Sequence, residues 1–326
     1  MMKKVKTYPS VPLIKLGGMS NEGERIPLYG SIRMCITRED KSIYTTTQSK
    51  ILSDAEENTV IINGKQVTGK PKKRVENIFS KLLDYCKIDD RINFYLESEN
   101  IGYPTEGGLS SSAAGSAAAV LSLYLALREQ YPEINLSKKE LSEIARQGSS
   151  SAIGSVIGGF SEVKVSKNNA WGEKIGDSEL LPDLEIYVAF VKGGTKSDDI
   201  HKAMENSRYI EKRIEFVNKT IPKMKEALLK GDTKEVIYYT HEDTKNFHGA
   251  LLDQGILTFE PDTLRIFKKI EEMHKNDKPI GCSIAGGPNV IVLSTEKYAE
   301  KAIEELFSIL PEERIKKCKV MNNPEW

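Results

Sequence analysis

Apolar and polar positions along this chain switch repeatedly between a period of two and a period near 3.6, so strands and helices are interleaved. Alternating or continuous apolar runs predict strands over Val11–Leu16, Ser31–Thr37, Ile43–Thr47, Thr59–Ile62 and Ile92–Leu96. Asn63-Gly64 supplies a tight hairpin turn after the fourth of these. Helical spacing predicts helices over Val75–Tyr85, Ser111–Glu129 and Leu136–Gln147, the last opened by a capping box at Ser137 and Glu140. The second half repeats the alternation. Strands are expected over Leu184–Val191, Val290–Leu293 and Lys317–Met321, and helices over Ser207–Lys230, Thr233–Phe247, Asp262–Asn276 and Glu296–Leu310. This order predicts an α+β protein of two layers rather than a doubly wound parallel sheet, divided into residues 1–175 and 176–326.

Composition narrows the classes. At 326 residues the chain is long enough for about two domains. Lysine plus arginine and aspartate plus glutamate both total 47, which gives no support for a nucleic-acid partner. The basic start, Met1 to Lys6, runs into Tyr-Pro rather than a signal-type apolar stretch, and no apolar run is long enough to span a membrane. A cytoplasmic protein is expected. Cys35, Cys86, Cys282 and Cys318 are scattered without CxxC spacing or nearby histidines, so free thiols are expected and no metal site.

The candidate chemistry lies in Pro104-Thr105-Glu106-Gly107-Gly108-Leu109-Ser110-Ser111-Ser112-Ala113-Ala114-Gly115. Gly107 and Gly108 let the backbone approach an anion, and Ser110, Ser111 and Ser112 supply hydroxyl donors where a helix begins. The helix adds free N–H groups and the positive end of its dipole. A flexible linker would not run directly into an alanine-rich helix built for close packing. The loop is no Walker A motif, because no Gly-Lys-Ser/Thr ends it.

Pro-x-x-x-Gly-Leu-Ser-Ser-Ser-Ala-Ala resembles the phosphate loop of the GHMP kinases. Four further segments are similar to the mevalonate diphosphate decarboxylase family: Tyr8 to Lys15 with Arg25 to Leu28, Ile144 to Phe160, Asp243 to His248, and Ala285-Gly286-Gly287-Pro288-Asn289. The resemblance implies a GHMP-kinase-like fold, with an N-terminal mixed-sheet domain, a C-terminal ferredoxin-like domain and a homodimer. It implies a catalytic role for Lys15, beside the plain reading of a lysine snorkelling from a strand end. Arg74 matches an arginine that grips substrate phosphate, beside the reading of a solvated charge in Lys72-Lys73-Arg74. Ser149 and Ser151 fall in the segment that binds substrate, although small residues are common in such a turn.

The departures from the pattern carry more information. A family arginine is replaced by Gly154 and a family lysine by Met19, which removes two cations expected for a diphosphate. Arg33 stands where a small serine is usual, a charge available elsewhere in the pocket. The aspartate that orients or deprotonates the tertiary hydroxyl is replaced by Ala285, which has no proton-transfer capacity. Asp198 and Asp199 are the substitutes within reach of the sequence, beside the reading of solvated loop acids. Within the resemblance, the kept Lys15 and the altered diphosphate ligands together imply mevalonate 3,5-bisphosphate decarboxylase, known from an archaeal form of the mevalonate pathway, with no cofactor required. Three alternatives stay open: an ATP- and Mg²⁺-dependent decarboxylase of phosphorylated mevalonate, a mevalonate 3-kinase, and a non-catalytic sensor of such a ligand.

Overall fold

The computed structural model describes residues 2–52, 55–89, 92–103, 109–194, 197–276 and 278–326. In chain order its elements are β1 (Val5–Thr7), β2 (Ser10–Ile14), β3 (Met19–Asn21), β4 (Ile26–Pro27), β5 (Ser31–Arg38), β6 (Tyr44–Leu52), β7 (Thr59–Ile62), β8 (Lys65–Gln66), α1 (Gly69–Cys86), β9 (Asn93–Ile101), α2 (Ser111–Gln130), α3 (Lys138–Ala145), α4 (Ala152–Ile157), β10 (Phe160–Val165), β11 (Ala170–Gly176) and β12 (Leu184–Ala189). They continue with α5 (Ser197–Asn206), α6 (Ile210–Lys230), α7 (Thr233–Leu252), α8 (Pro261–Lys275), β13 (Ile280–Ile284), β14 (Val290–Thr295), α9 (Ala299–Phe307) and β15 (Ile315–Val320).

Two large sheets organise these elements. The first has the order β1-β6-β9-β7-β8, and within it β7 runs parallel to β9. Its inner face, with Val5, Phe94 and Leu96, packs on α1 and α2. Helix α2 is apolar over most of its surface from Ala113 through Leu127 because most of that surface is enclosed. The expected hairpin forms at Asn63-Gly64, where both residues take positive φ and join Ile62 to Lys65 across the turn.

The second sheet has eight strands, in the order β11-β10-β5-β15-β12-β14-β13 with β2 added on β5. It is covered on both faces where β12 passes through it. Ile186 and Val188 join a core with α6 through Val217, Met224 and Leu228, and with α7 through Val236 and Ile237. Tyr187 and Ala189 join a second core with α8 and α9 through Ile266, Ile270 and Leu306. Burial on both faces is the reason this strand reads as a continuous apolar run.

The α+β architecture expected from the alternation is the one found. Helix α3 carries the expected capping box, with Ser137 and Glu140 bonding each other's backbone. The long helix expected from Ser207 begins at Ile210, after a turn in which the Ile210 N–H donates to Ser207. The single helix expected over Glu296–Leu310 is a 3₁₀ turn followed by α9. Nine of these elements were not among those expected: β1, β3, β4, β8, α4, β10, β11, α5 and β13. Each is short or mixes charges with apolar residues, and each is held by neighbours rather than by its own propensity. Cys35, Cys282 and Cys318 are buried free thiols, and Cys86 is a half-buried one. No helix among the described residues is long and apolar enough to cross a membrane.

Candidate active site

A cavity of about 270 Å³ lies where α2, α4, α5, β2, β5 and the loop after β13 converge. Its wall includes Lys15, Arg33, Ser110, Ser111, Ser112, Ser151, His201 and Ala285. Lys15, Ala285, Ser151 and three serines of the phosphate loop, far apart in sequence, therefore meet in one place. Gly107 and Gly108 lie outside the described residues.

The phosphate-loop end of this cavity is the start of α2. Ser110 takes a left-handed conformation, φ 53°, which turns the chain sharply into the helix. Its carbonyl accepts from Ala113 and Ala114, while the first N–H groups of the helix have no acceptor within it. Those groups, the Ser111 and Ser112 hydroxyls and the helix dipole make the end of the cavity a place for an anion.

Lys15 follows directly on β2 and is buried against α7. Its ammonium lies 3.3 Å from the Asp243 carboxylate and donates to Thr244 Oγ1 at 2.8 Å. Burial pulls this lysine below its ordinary pKa, Arg213 acts the same way, and Asp243 opposes them. Arg213 pairs with the other Asp243 oxygen at 2.6 Å and donates to the Lys15 carbonyl at 2.8 Å. One buried carboxylate is thus shared by two cations, which leaves a local positive excess beneath the cavity.

Arg33 enters the wall from β5, buried to 3 % exposure. Its Nε donates to Ser10 Oγ at 2.9 Å, and one of its amino nitrogens donates to the Ser10 carbonyl. Ser149 lies behind the wall, its hydroxyl 2.9 Å from that of Ser151. His201 is neutral: burial, and then Arg25, bring its pKa down to about 4. His248 donates from Nε2 to the Ile284 carbonyl at 2.8 Å and thereby fixes the strand end that presents Ala285.

Among the described wall residues there is no aspartate or glutamate. The two acids considered as substitutes are placed elsewhere. Asp198 is bound by Lys70 and lies 3.5 Å from Arg74, and the Lys70 hydrogen bond holds its carboxyl below the usual range. Asp199 is exposed to solvent.

Comparison with known proteins agrees with this geometry. Residues 7–174 match the model of the diphosphomevalonate decarboxylase-like N-terminal domain, and residues 191–325 that of the mevalonate 5-diphosphate decarboxylase C-terminal domain. The chain belongs to the diphosphomevalonate decarboxylase family. It is 27 % identical to a phosphomevalonate decarboxylase of Haloferax volcanii, over 93 % of this chain and 91 % of that one. It is 24 % identical to a mevalonate-3-kinase of Picrophilus torridus, over 99 % of this chain and 96 % of that one. Among solved structures, the mevalonate diphosphate decarboxylase of Staphylococcus aureus superposes with a TM-score of 0.87 at 23 % identity, covering 100 % of this chain and 98 % of the other. The family lies within the GHMP superfamily, and its decarboxylases are carbon–carbon lyases of the mevalonate pathway that act on phosphorylated mevalonate.

A second cavity, of about 400 Å³, opens on the other side of the α2 N-terminus in this family member. Ser111 and Ser112 line both cavities. Arg74 belongs to the second one, together with Lys70, apolar Ile62, Val75 and Ile78, and polar Ser98 and Asn100. The arginine expected at the substrate phosphate is therefore in a neighbouring wall, tied to Asp198. Asp243, Arg213 and His201 were not singled out from sequence. Asp243 had been noticed only as the first residue of a segment similar to the family, and an acid on a helix otherwise reads as solvated.

Proposed function

We propose that this protein decarboxylates mevalonate 3,5-bisphosphate without ATP, giving isopentenyl phosphate, carbon dioxide and inorganic phosphate. The C1–C2 bond breaks, its electron pair becomes the C2–C3 double bond, and the C3–O bond breaks with the 3-phosphate taking the departing pair. Negative charge grows on that phosphate in the transition state. Lys15 and the N-terminus of α2 are suited to stabilise it there. The observation that carries this reading is Ala285 in a cavity with cations and no described carboxylate. Phosphorylating a tertiary hydroxyl calls for a group that accepts or orients its proton. A substrate that arrives already phosphorylated at C3 needs none.

The second cavity favours a second reading. Its apolar slot, with Ser98 and Asn100 at the edge and Lys70 and Arg74 beside it, suits a flat heteroaromatic base whose phosphates lead to α2. An ATP-dependent decarboxylase of mevalonate 5-phosphate would use it. Carbon dioxide release separates the two. Release from mevalonate 3,5-bisphosphate with no nucleotide present supports the first reading. Release only from mevalonate 5-phosphate together with ATP supports the second. ADP formation without carbon dioxide identifies a kinase, and no turnover of any kind a sensor.

A further inference from the structure

We infer that Arg33 binds the non-reacting 5-phosphate of the substrate, and that Gly154 is a glycine because this arginine and the Ser10 hydroxyl it holds occupy the space its side chain would need. The inference rests on the cavity being the mevalonate site, and it holds under either reading of ATP use.

The register of β5 sets up the arrangement. Ile32, Met34 and Ile36 point into the core formed with α6 and α7. Arg33, Ser31 and Cys35 alternate with them and would face solvent on an open sheet. Helix α4 covers this face instead, so all three are buried. A guanidinium buried there is expensive unless an anion meets it. None is supplied by the described residues. Both of its hydrogen bonds go to Ser10, a neutral residue. Burial pulls Arg33 down to about 10, and among the described residues only the Cys35 thiol offsets it. Among the described residues the second amino nitrogen has no acceptor, and Arg33 lines the cavity together with Lys15 and Ser151.

Gly154 makes room for this side chain. A Cβ at this position would lie 2.2 Å from Ser10 Oγ, 3.0 Å from Arg33 Cδ and 3.2 Å from Arg33 Cβ. Any larger residue on α4 would push the guanidinium off Ser10. Positions 33 and 154 thus share one volume, which admits one long side chain.

The reaction decides which anion is held. The substrate carboxylate loses its charge as carbon dioxide departs, so a fixed guanidinium on it would stabilise the ground state over the transition state. The 3-phosphate is assigned to Lys15 and α2. The 5-phosphate keeps its charge throughout, and a fixed guanidinium holds it without penalty to the chemical step.

The test compares wild type, R33M and the double variant R33S/G154R by calorimetric titration and thermal shift with mevalonate 5-phosphate and with mevalonate. R33M is expected to weaken mevalonate 5-phosphate by roughly 30-fold or more, the usual loss when one desolvated charge partner is removed. Its affinity for mevalonate is expected to stay within threefold, and its thermal shift with the 5-phosphate to vanish. The double variant returns a guanidinium to the same volume from α4 and is expected to recover most of the affinity. R33M binding mevalonate 5-phosphate within threefold of wild type overturns the inference. Equal losses for both ligands, or a wild type that does not prefer the phosphorylated ligand, also overturn it. If R33M does not fold, R33S/G154R decides: a folded double variant without 5-phosphate preference overturns the inference, and one with it supports it. A wild type that binds the 5-phosphate through Arg33 but releases no carbon dioxide from the bisphosphate would sink the proposed function alone.

Discussion

The Asp243 carboxylate accepts the backbone N–H of Lys15 at 2.9 Å and faces the ammonium of the same residue at 3.3 Å. One buried acid thus fixes both ends of the lysine, at the floor of the cavity. Arg213 holds the other oxygen of the acid, so Asp243 serves two cations and Lys15 serves one site.

This asymmetry predicts opposite phenotypes for the two partners. Asp243→Asn leaves two buried cations uncompensated and is expected to cost about 3–5 kcal/mol in urea unfolding. Lys15→Met leaves Asp243 still paired with Arg213, so its stability loss should be smaller. Its kcat for the bisphosphate should nonetheless fall by about 10²–10³-fold, as for loss of one preorganised charge. Equal stability losses would contradict the shared-acid geometry.

Ala285→Asp tests the division of the reaction. A carboxylate added to this wall should not speed the loss of a 3-phosphate already in place, and its charge should slow that loss. It should create ATP-dependent ADP formation with mevalonate 5-phosphate if the second cavity still accepts nucleotide. Coupled ADP and carbon dioxide assays on both substrates check this. Faster turnover of the bisphosphate would oppose the proposed role of Ala285.

Gly115→Leu tests the second cavity with little risk to the fold. No heavy atom lies within 4 Å of a Cβ built at Gly115, and a leucine raises helix propensity in α2. The side chain would fill space between Ser111, Ser116 and Ala119 in that cavity. ATP-free decarboxylation should remain within about twofold, as for a surface-like substitution away from the reacting groups. A large loss, with the melting temperature unchanged, would favour the ATP-dependent reading.

Three histidines predict an acid-sensitive fold. Burial pushes His248 down to about 3, and His201 and His241 to about 4, from an ordinary value of 6.5. Above pH 6.5 each is neutral whether the chain is folded or unfolded, so stability is level. As pH falls below 6.5 the unfolded chain binds protons that the folded chain refuses. Stability then drops, by up to ~1.4 kcal/mol per pH unit for each histidine, until the folded values are reached. His201→Gln should reduce the slope between pH 6 and 4.5 in urea titrations at stepped pH. An unchanged slope would show that His201 titrates normally in the folded protein.

The principal strands and helices were legible because their signals are local. The capping box of α3 and the Asn63-Gly64 hairpin are specified by adjacent residues and appear as expected. The serines at the start of α2 were legible as a local cluster for the same reason, since a helix N-terminus carries its own unpaired donors. Lys15, Ala285 and Arg74 stood out only through similarity to a family, and Arg74 lines the second cavity rather than the first. Asp243 is an ordinary helical acid until β2 is laid against α7.

What the sequence by itself determined is the alternation of elements and the anion-ready end of α2, while the missing carboxylate at Ala285 is what the resemblance to the family implies. Tertiary structure alone decided which charges meet. Lys15 and Asp243 are 228 positions apart, and Arg33 and Gly154 share one volume only because α4 covers a strand face whose alternation reads as solvent-exposed. Periodicity records which way a side chain points along its own element. Burial, pKa and charge balance depend on what the rest of the chain brings to that face.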